Sequence, residues 1–143
     1  MKIRTDFITN SSSSSYVIAV RKNLTVEDIK NELLKDKKNL KDYLDDYKSY
    51  WEDDYNLNDE FDSDYYEPRI VRAETEDEQI NLLAEALAKE IVNENTLKYA
   101  LEIGDFKVYA KEGSSEDIDI FSNWLYSFAY GIKSDNLKIG GSN

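Results

Sequence analysis

Apolar residues along this chain recur at two spacings, and the changes between them mark out the elements. From Lys2 to Phe7 they alternate, with Ile3, Thr5 and Phe7 on one face and Lys2, Arg4 and Asp6 on the other. That is the period of a half-buried strand. YVIAVR (Tyr16–Arg21) is a β-branched run, which predicts a strand buried on both faces and paired with the first as a hairpin. The five serines between them, Ser11–Ser15, read as a flexible polar loop. The spacing then lengthens. Ile29, Leu33, Leu40, Leu44, Tyr47 and Trp51 form a helical stripe that runs into an acidic stretch. Thr25 and Asp28 give its start a capping box, and Glu27 and Asp28 suit the positive end of the helix dipole. Lys35–Lys38 leaves open whether this region is one helix or two.

After Pro68, RIVRA (69–73) predicts a short edge strand. Thr75 and Glu78 form a second capping box, ahead of a stripe of Ile80, Leu83, Leu87 and Ile91 widened by Ala84 and Ala88, with Asn93 and Asn95 at its end. KYALEIGDFKVYAK predicts a two-residue hairpin across Gly104 and Asp105, pairing Ile103 with Phe106 and Leu101 with Val108. GSSEDIDIFSNWLYSFAYG predicts a third helix capped by Ser115 and stopped at Gly131, with a stripe of Ile118, Phe121, Leu125, Phe128 and Ile132. Trp124, Tyr126 and Tyr130 on that helix read as core and core edge rather than a cofactor box. NLKIG predicts a last strand. The order ββα(α)–acidic segment–βαββαβ predicts a single α+β domain over residues 1–143, a small antiparallel sheet packed against about three helices.

Composition narrows the chemistry. A chain of 143 residues with 41% hydrophobic residues has enough apolar surface for a core. Cysteine and histidine are both absent, which removes disulfides, thiol chemistry, the usual zinc ligands and the commonest general base near neutral pH. No signal-peptide pattern and no run of ~20 apolar residues is present, so a cytoplasmic protein is expected. The 11 tyrosines suit half-buried surfaces and interfaces. The net charge of −12 is uneven: residues 51–94 hold 15 Asp and Glu against 3 Lys and Arg. This argues against direct contact with nucleic acid or anionic membrane and for a basic partner.

The charge centres on WEDDYNLNDEFDSDYYEP (51–68), with eight carboxylates, five aromatics and no Lys or Arg. Three readings compete. As a calcium loop it begins correctly, with Asp54, Asn56, Asn58 and Asp62 at ligand positions. However, Asp59 stands where the sharp turn needs Gly, and Tyr65 where the bidentate Glu belongs. As a solvated loop it would keep the protein soluble, but such runs are aromatic-poor. As a polyanion-like surface it presents Glu52, Asp53, Asp54, Asp59, Glu60, Asp62, Asp64 and Glu67, while Trp51, Tyr55, Phe61, Tyr65 and Tyr66 supply apolar anchors. If helical, its acids fall about 3 Å apart along the axis, near the spacing of phosphates on one DNA strand. Glu74, Glu76, Asp77 and Glu78 would extend that surface.

The opening MKIRTDFITNSSSSSYVI resembles that of a scattered group of small, functionally diverse proteins from Firmicute-type bacteria and their mobile elements. The residues that carry the resemblance are Lys2, Arg4, Asp6, Phe7, Thr9, Asn10 and Ser11–Ser15. It covers roughly the first eighteen residues, and it implies a bacterial or phage origin and no particular activity. The serine run lacks the Gly-rich pattern of a phosphate loop.

No nucleophile elbow, phosphate loop or metalloprotease motif exists, so catalysis is not expected and no cofactor is implied. The expectation is a non-enzymatic binding protein whose segment Trp51–Glu67 occupies the basic nucleic-acid-binding surface of a partner, as a phage-encoded anti-defence inhibitor would. The alternatives are an interaction module whose acidic segment only solubilises, and a divalent-metal-dependent sensor or enzyme.

Overall fold

The structure, a computed structural model, describes residues 13–54, 70, 73–114, 119–128, 132 and 134–141, with the backbone alone at 13, 49–54 and 128. The elements in chain order are β1 (Ser13–Arg21), α1 (Val26–Leu34), α2 (Lys37–Asp54), α3 (Glu76–Ile91), α4 (Glu94–Leu97), β2 (Leu101–Ile103), β3 (Phe106–Ser114), α5 (Ile120–Phe128) and β4 (Leu137–Gly141). The four strands form one antiparallel sheet in the order β2-β3-β1-β4, so the chain is an α+β protein. No helix among the described residues is long and apolar enough to cross a membrane.

Residues directly opposed in an antiparallel pair project to the same side. Tyr16, Ile18 and Val20 therefore share a face with Lys111, Tyr109 and Lys107 of β3 and with Gly141, Ile139 and Leu137 of β4. This is the helix-covered face: Tyr16, Ile18, Val20 and Leu137 are buried with Ile29, Leu33, Leu83, Leu87, Phe121 and Trp124 in one core. The opposite face of β1 is open, with Val17 52% exposed. β1 thus alternates rather than being buried on both faces as expected, because helices pack on only one side of it. It also begins earlier than expected. Ser13, Ser14 and Ser15 pair with Ser114, Gly113 and Glu112, so the end of the serine run is strand, not loop.

The first helical region is two helices. Lys35 and Asp36 donate to the carbonyls three residues back, a tightened last turn that closes α1. Asp36 then caps α2 by accepting from the Asn39 amide at 3.3 Å. The capping box at α1 is reciprocal: Asp28 donates to the Thr25 hydroxyl at 3.1 Å, and Thr25 N–H donates to the Asp28 carboxylate at 2.9 Å. At α3 it is only half formed. Thr75 accepts from the Glu78 amide, but the Glu78 carboxylate accepts from Glu74 N–H instead of Thr75 N–H. The stripes on both helices are buried as the spacing predicts.

The hairpin has the expected register, Leu101 to Val108 and Ile103 to Phe106, and Gly104 takes a positive φ of 60° in the turn. Two other expectations are corrected. Ile70 is helical and fully buried, so it does not lie in an edge strand. Gly113 and Ser114 belong to β3, and α5 starts later than expected, where Asp119 accepts from the Ser122 amide at 3.2 Å as the cap. The cap is therefore Asp119 rather than the expected Ser115. Trp124 is core, fully buried. The expected hairpin of Tyr16–Arg21 with Lys2–Phe7 is also corrected, because β3 and β4 occupy both edges of Tyr16–Val20; Lys2–Phe7 itself, Ser115, Ile118, Tyr130 and Gly131 lie outside the described residues.

Candidate protein-binding surfaces

α2 leads from the core into the acidic segment. Its inner face buries Leu40, Tyr43, Leu44 and Tyr47, and the Tyr43 hydroxyl donates to Asn123 of α5 at 2.8 Å. Burial in that core pushes the Tyr43 phenol well above its ordinary pKa, which keeps it a neutral donor. On the outer face the charges cancel locally. Lys38 meets Asp42 at 3.0 Å, and Lys41 bridges Asp45 at 3.0 Å and Glu76 at 3.1 Å. These carboxylates, Asp45 first, raise the Lys41 pKa. Lys48 is the last cation of the helix, and no other follows before Arg69.

The last turn of α2 is different in kind. It carries Trp51, Glu52, Asp53 and Asp54 with no base among them. A helix C-terminus bears roughly half a negative charge, so three carboxylates there oppose the dipole. Helix stability does not explain them. The return flank is also fixed, because Ile70 is fully buried.

Of the expected contact residues, Trp51, Glu52, Asp53 and Asp54 stand in this final turn, described by backbone alone. Tyr55, Asp59, Glu60, Phe61, Asp62, Asp64, Tyr65, Tyr66 and Glu67 lie outside the described residues. So do Asn56, Asn58 and Asp62 of the calcium pattern, and no cluster of metal-ligating side chains occurs among the described residues. Of the acids that would extend the surface at α3, two have local contacts. Glu76 is held by Lys41, and Glu78 is spent on the amide of Glu74. Acids in the first turn of α3 also stabilise the dipole, so they have local reasons to be there.

Two further surfaces were not legible from spacing. The open face of the sheet carries Val17 at 52%, Leu101 at 67% and Ile103 at 57% exposure, and Tyr99 just ahead of β2 is 80% exposed. The Phe106 ring on this face is covered by the Arg21 guanidinium at 4.8 Å and the Lys138 ammonium at 5.7 Å. Arg21 also donates to Asn136 and to the Asp135 carbonyl, both at 2.8 Å. Nearby, Glu32 accepts from Asn136 at 2.9 Å, from Lys35 at 3.0 Å and from the Ser134 hydroxyl, which clamps the loop before β4 onto α1. The second surface is a groove of about 460 Å³ between the β1–α1 turn, α4 and β3, lined in part by Lys22, Lys98 and Lys107.

Comparison with protein-family models, with curated proteins and with solved structures returned no match. The functional reading therefore rests on the chain's own chemistry.

Proposed function

We propose that this protein is a non-enzymatic binder of basic protein surfaces. Its contact is the acidic end of α2 and the segment that continues it, Trp51–Glu67, and the surface it occupies is one that otherwise takes nucleic acid. The observation that carries this reading is the last turn of α2, which holds three carboxylates and no base. Three carboxylates stand at the negative end of an 18-residue helix whose earlier turns are neutralised by their own lysines. Placing charge where it costs the helix stability favours a role outside the helix. Opposite charge on the partner would speed encounter and make it salt-sensitive, and the interleaved aromatics would supply the desolvated anchors.

The test is affinity capture from a bacterial lysate at low and high salt. Wild type is compared with a variant carrying Asp53→Lys, Asp54→Lys, Asp59→Lys and Asp62→Lys. The reading predicts a basic, nucleic-acid-binding protein retained by wild type, released by salt and absent from the variant. Lysine at positions 53 and 54 complements the helix dipole, so the variant should melt no lower than wild type, gaining about 0.3–1 kcal/mol per favourable charge. A variant that captures the same partner equally well would remove the acidic contact and favour the interaction-module alternative, with the open sheet face around Leu101 and Ile103 as the surface to examine.

A further inference from the structure

The lining of the groove beside α4 gathers cations whose carboxylate partners, Asp105 and Glu102, stand outside it. The chain has 18 Lys and Arg against 30 Asp and Glu, yet Arg21, Lys22, Lys98 and Lys107 line this one groove and Glu94 is the only acid among the lining residues. Beneath the cations the floor is apolar: Leu24, Val26, Val92 and Leu97 are half-buried and pack against the core. The cations differ in how far they are satisfied. Arg21 is committed to Asp105 at 3.7 Å and to the loop before β4. Lys22 and Lys107 converge on one carboxylate, Glu102, at 3.1 Å and 3.9 Å. Lys98 rests on the Tyr99 ring at 5.3 Å and has no carboxylate partner among the described residues.

Glu102 is the most exposed partner of Lys22 and Lys107. It belongs to β2, a three-residue edge strand, and its side chain is 60% exposed. The Lys22 hydrogen bond, then the charges of Lys22 and Lys107, hold its carboxyl below the ordinary range. Two ammonium groups aimed at one exposed carboxylate, above an apolar floor, form a site for an acid with an apolar body. The groove's volume falls within the ~300–1,000 Å³ range of small-molecule pockets.

We propose that this groove binds a small amphipathic acid, whose carboxylate or phosphate head displaces Glu102 between Lys22 and Lys107 while its apolar body lies on Leu24, Val26, Val92 and Leu97. The site is separate from the acidic end of α2 and does not depend on that reading. Exposed ion pairs contribute little to stability, so the Lys22–Glu102–Lys107 arrangement adds little as a clamp alone.

The full chain, labelled with ¹⁵N, is titrated with octanoate and separately with octyl phosphate, with 1-octanol and inorganic phosphate as controls, and amide shifts are followed. The proposal expects saturable shifts at residues 22–26, 92–98 and 107 with at least one of the two acids, and none with either control at the same concentrations. Which acid binds more tightly identifies the head group. Glu102→Gln removes the resident competitor and should tighten binding about tenfold, whereas the Lys22→Ala, Lys107→Ala double variant should weaken it by a similar factor. Three results would each overturn the proposal: no saturable shift with either acid, octanol matching octanoate, or an affinity unchanged by Glu102→Gln.

Discussion

Glu32 shows how one side chain can hold two distant parts of the chain together. Its side chain is 10% exposed, and it gathers donors from Lys35 on its own helix and from Ser134 and Asn136 about a hundred residues later. The Ser134 hydrogen bond lowers its pKa against the opposing cost of burial, with Lys35 and Asn136 adding to the lowering. A carboxyl whose folded pKa is depressed stabilises the fold above its unfolded pKa, and that contribution is lost as pH falls through the folded value. Urea unfolding should therefore show wild type more stable than Glu32→Gln near neutral pH. The gap should be about 1.5–3 kcal/mol, the range for a charged hydrogen bond, and should close as the solution is acidified through the carboxylate range. A gap that stays constant with pH would contradict the account. Nothing in the linear sequence joins Glu32 to Ser134 and Asn136, because the pairing depends on where β4 enters the sheet.

At the scale of elements, Gly113 and Gly141 let β3, β4 and α5 close around Tyr16. A Cβ at Gly113 would stand 2.8 Å from the Tyr16 ring, 3.0 Å from the Ser122 carbonyl and 3.1 Å from Leu125 Cβ. Because one of those neighbours is backbone, the strain cannot be relieved by a side-chain turn alone. Gly113→Ala should destabilise the protein by about 1–3 kcal/mol, read as a lower melting temperature, and an unchanged melt would refute this packing. Helices were legible in the sequence because their apolar period and caps are local: the stripes of α1 and α3, that of α2 as far as Tyr47, and the Thr25 box stand where spacing puts them. Strand limits were less so. Ser13–Ser15 have no strand signal of their own and are extended because β3 offers backbone partners. Gly113 reads as a helix start by composition, yet close packing under α5 requires it in a strand. The groove cations come from the β1–α1 turn, α4 and β3, and no sequence window contains them together.

At the scale of the whole molecule, charge is segregated. The outer face of α2 is balanced by Lys38 and Lys41, the lining of the groove beside α4 gathers four cations, and the last turn of α2 holds three carboxylates and no base. The acidic segment was visible from composition alone. What sequence did not supply was its setting, a helix end that the carboxylates destabilise and a return flank anchored by buried Ile70. A protein that concentrates charge this way should associate with a basic partner at a rate that falls steeply as salt screens the attraction. The most direct measurement is fluorescence anisotropy of a labelled oligonucleotide bound to the captured basic partner, with this protein added as competitor. The account predicts that wild type releases the oligonucleotide stoichiometrically and that the variant with lysine at positions 53, 54, 59 and 62 does not. If the partner holds the oligonucleotide and this protein at the same time, the segment does not occupy the nucleic-acid surface.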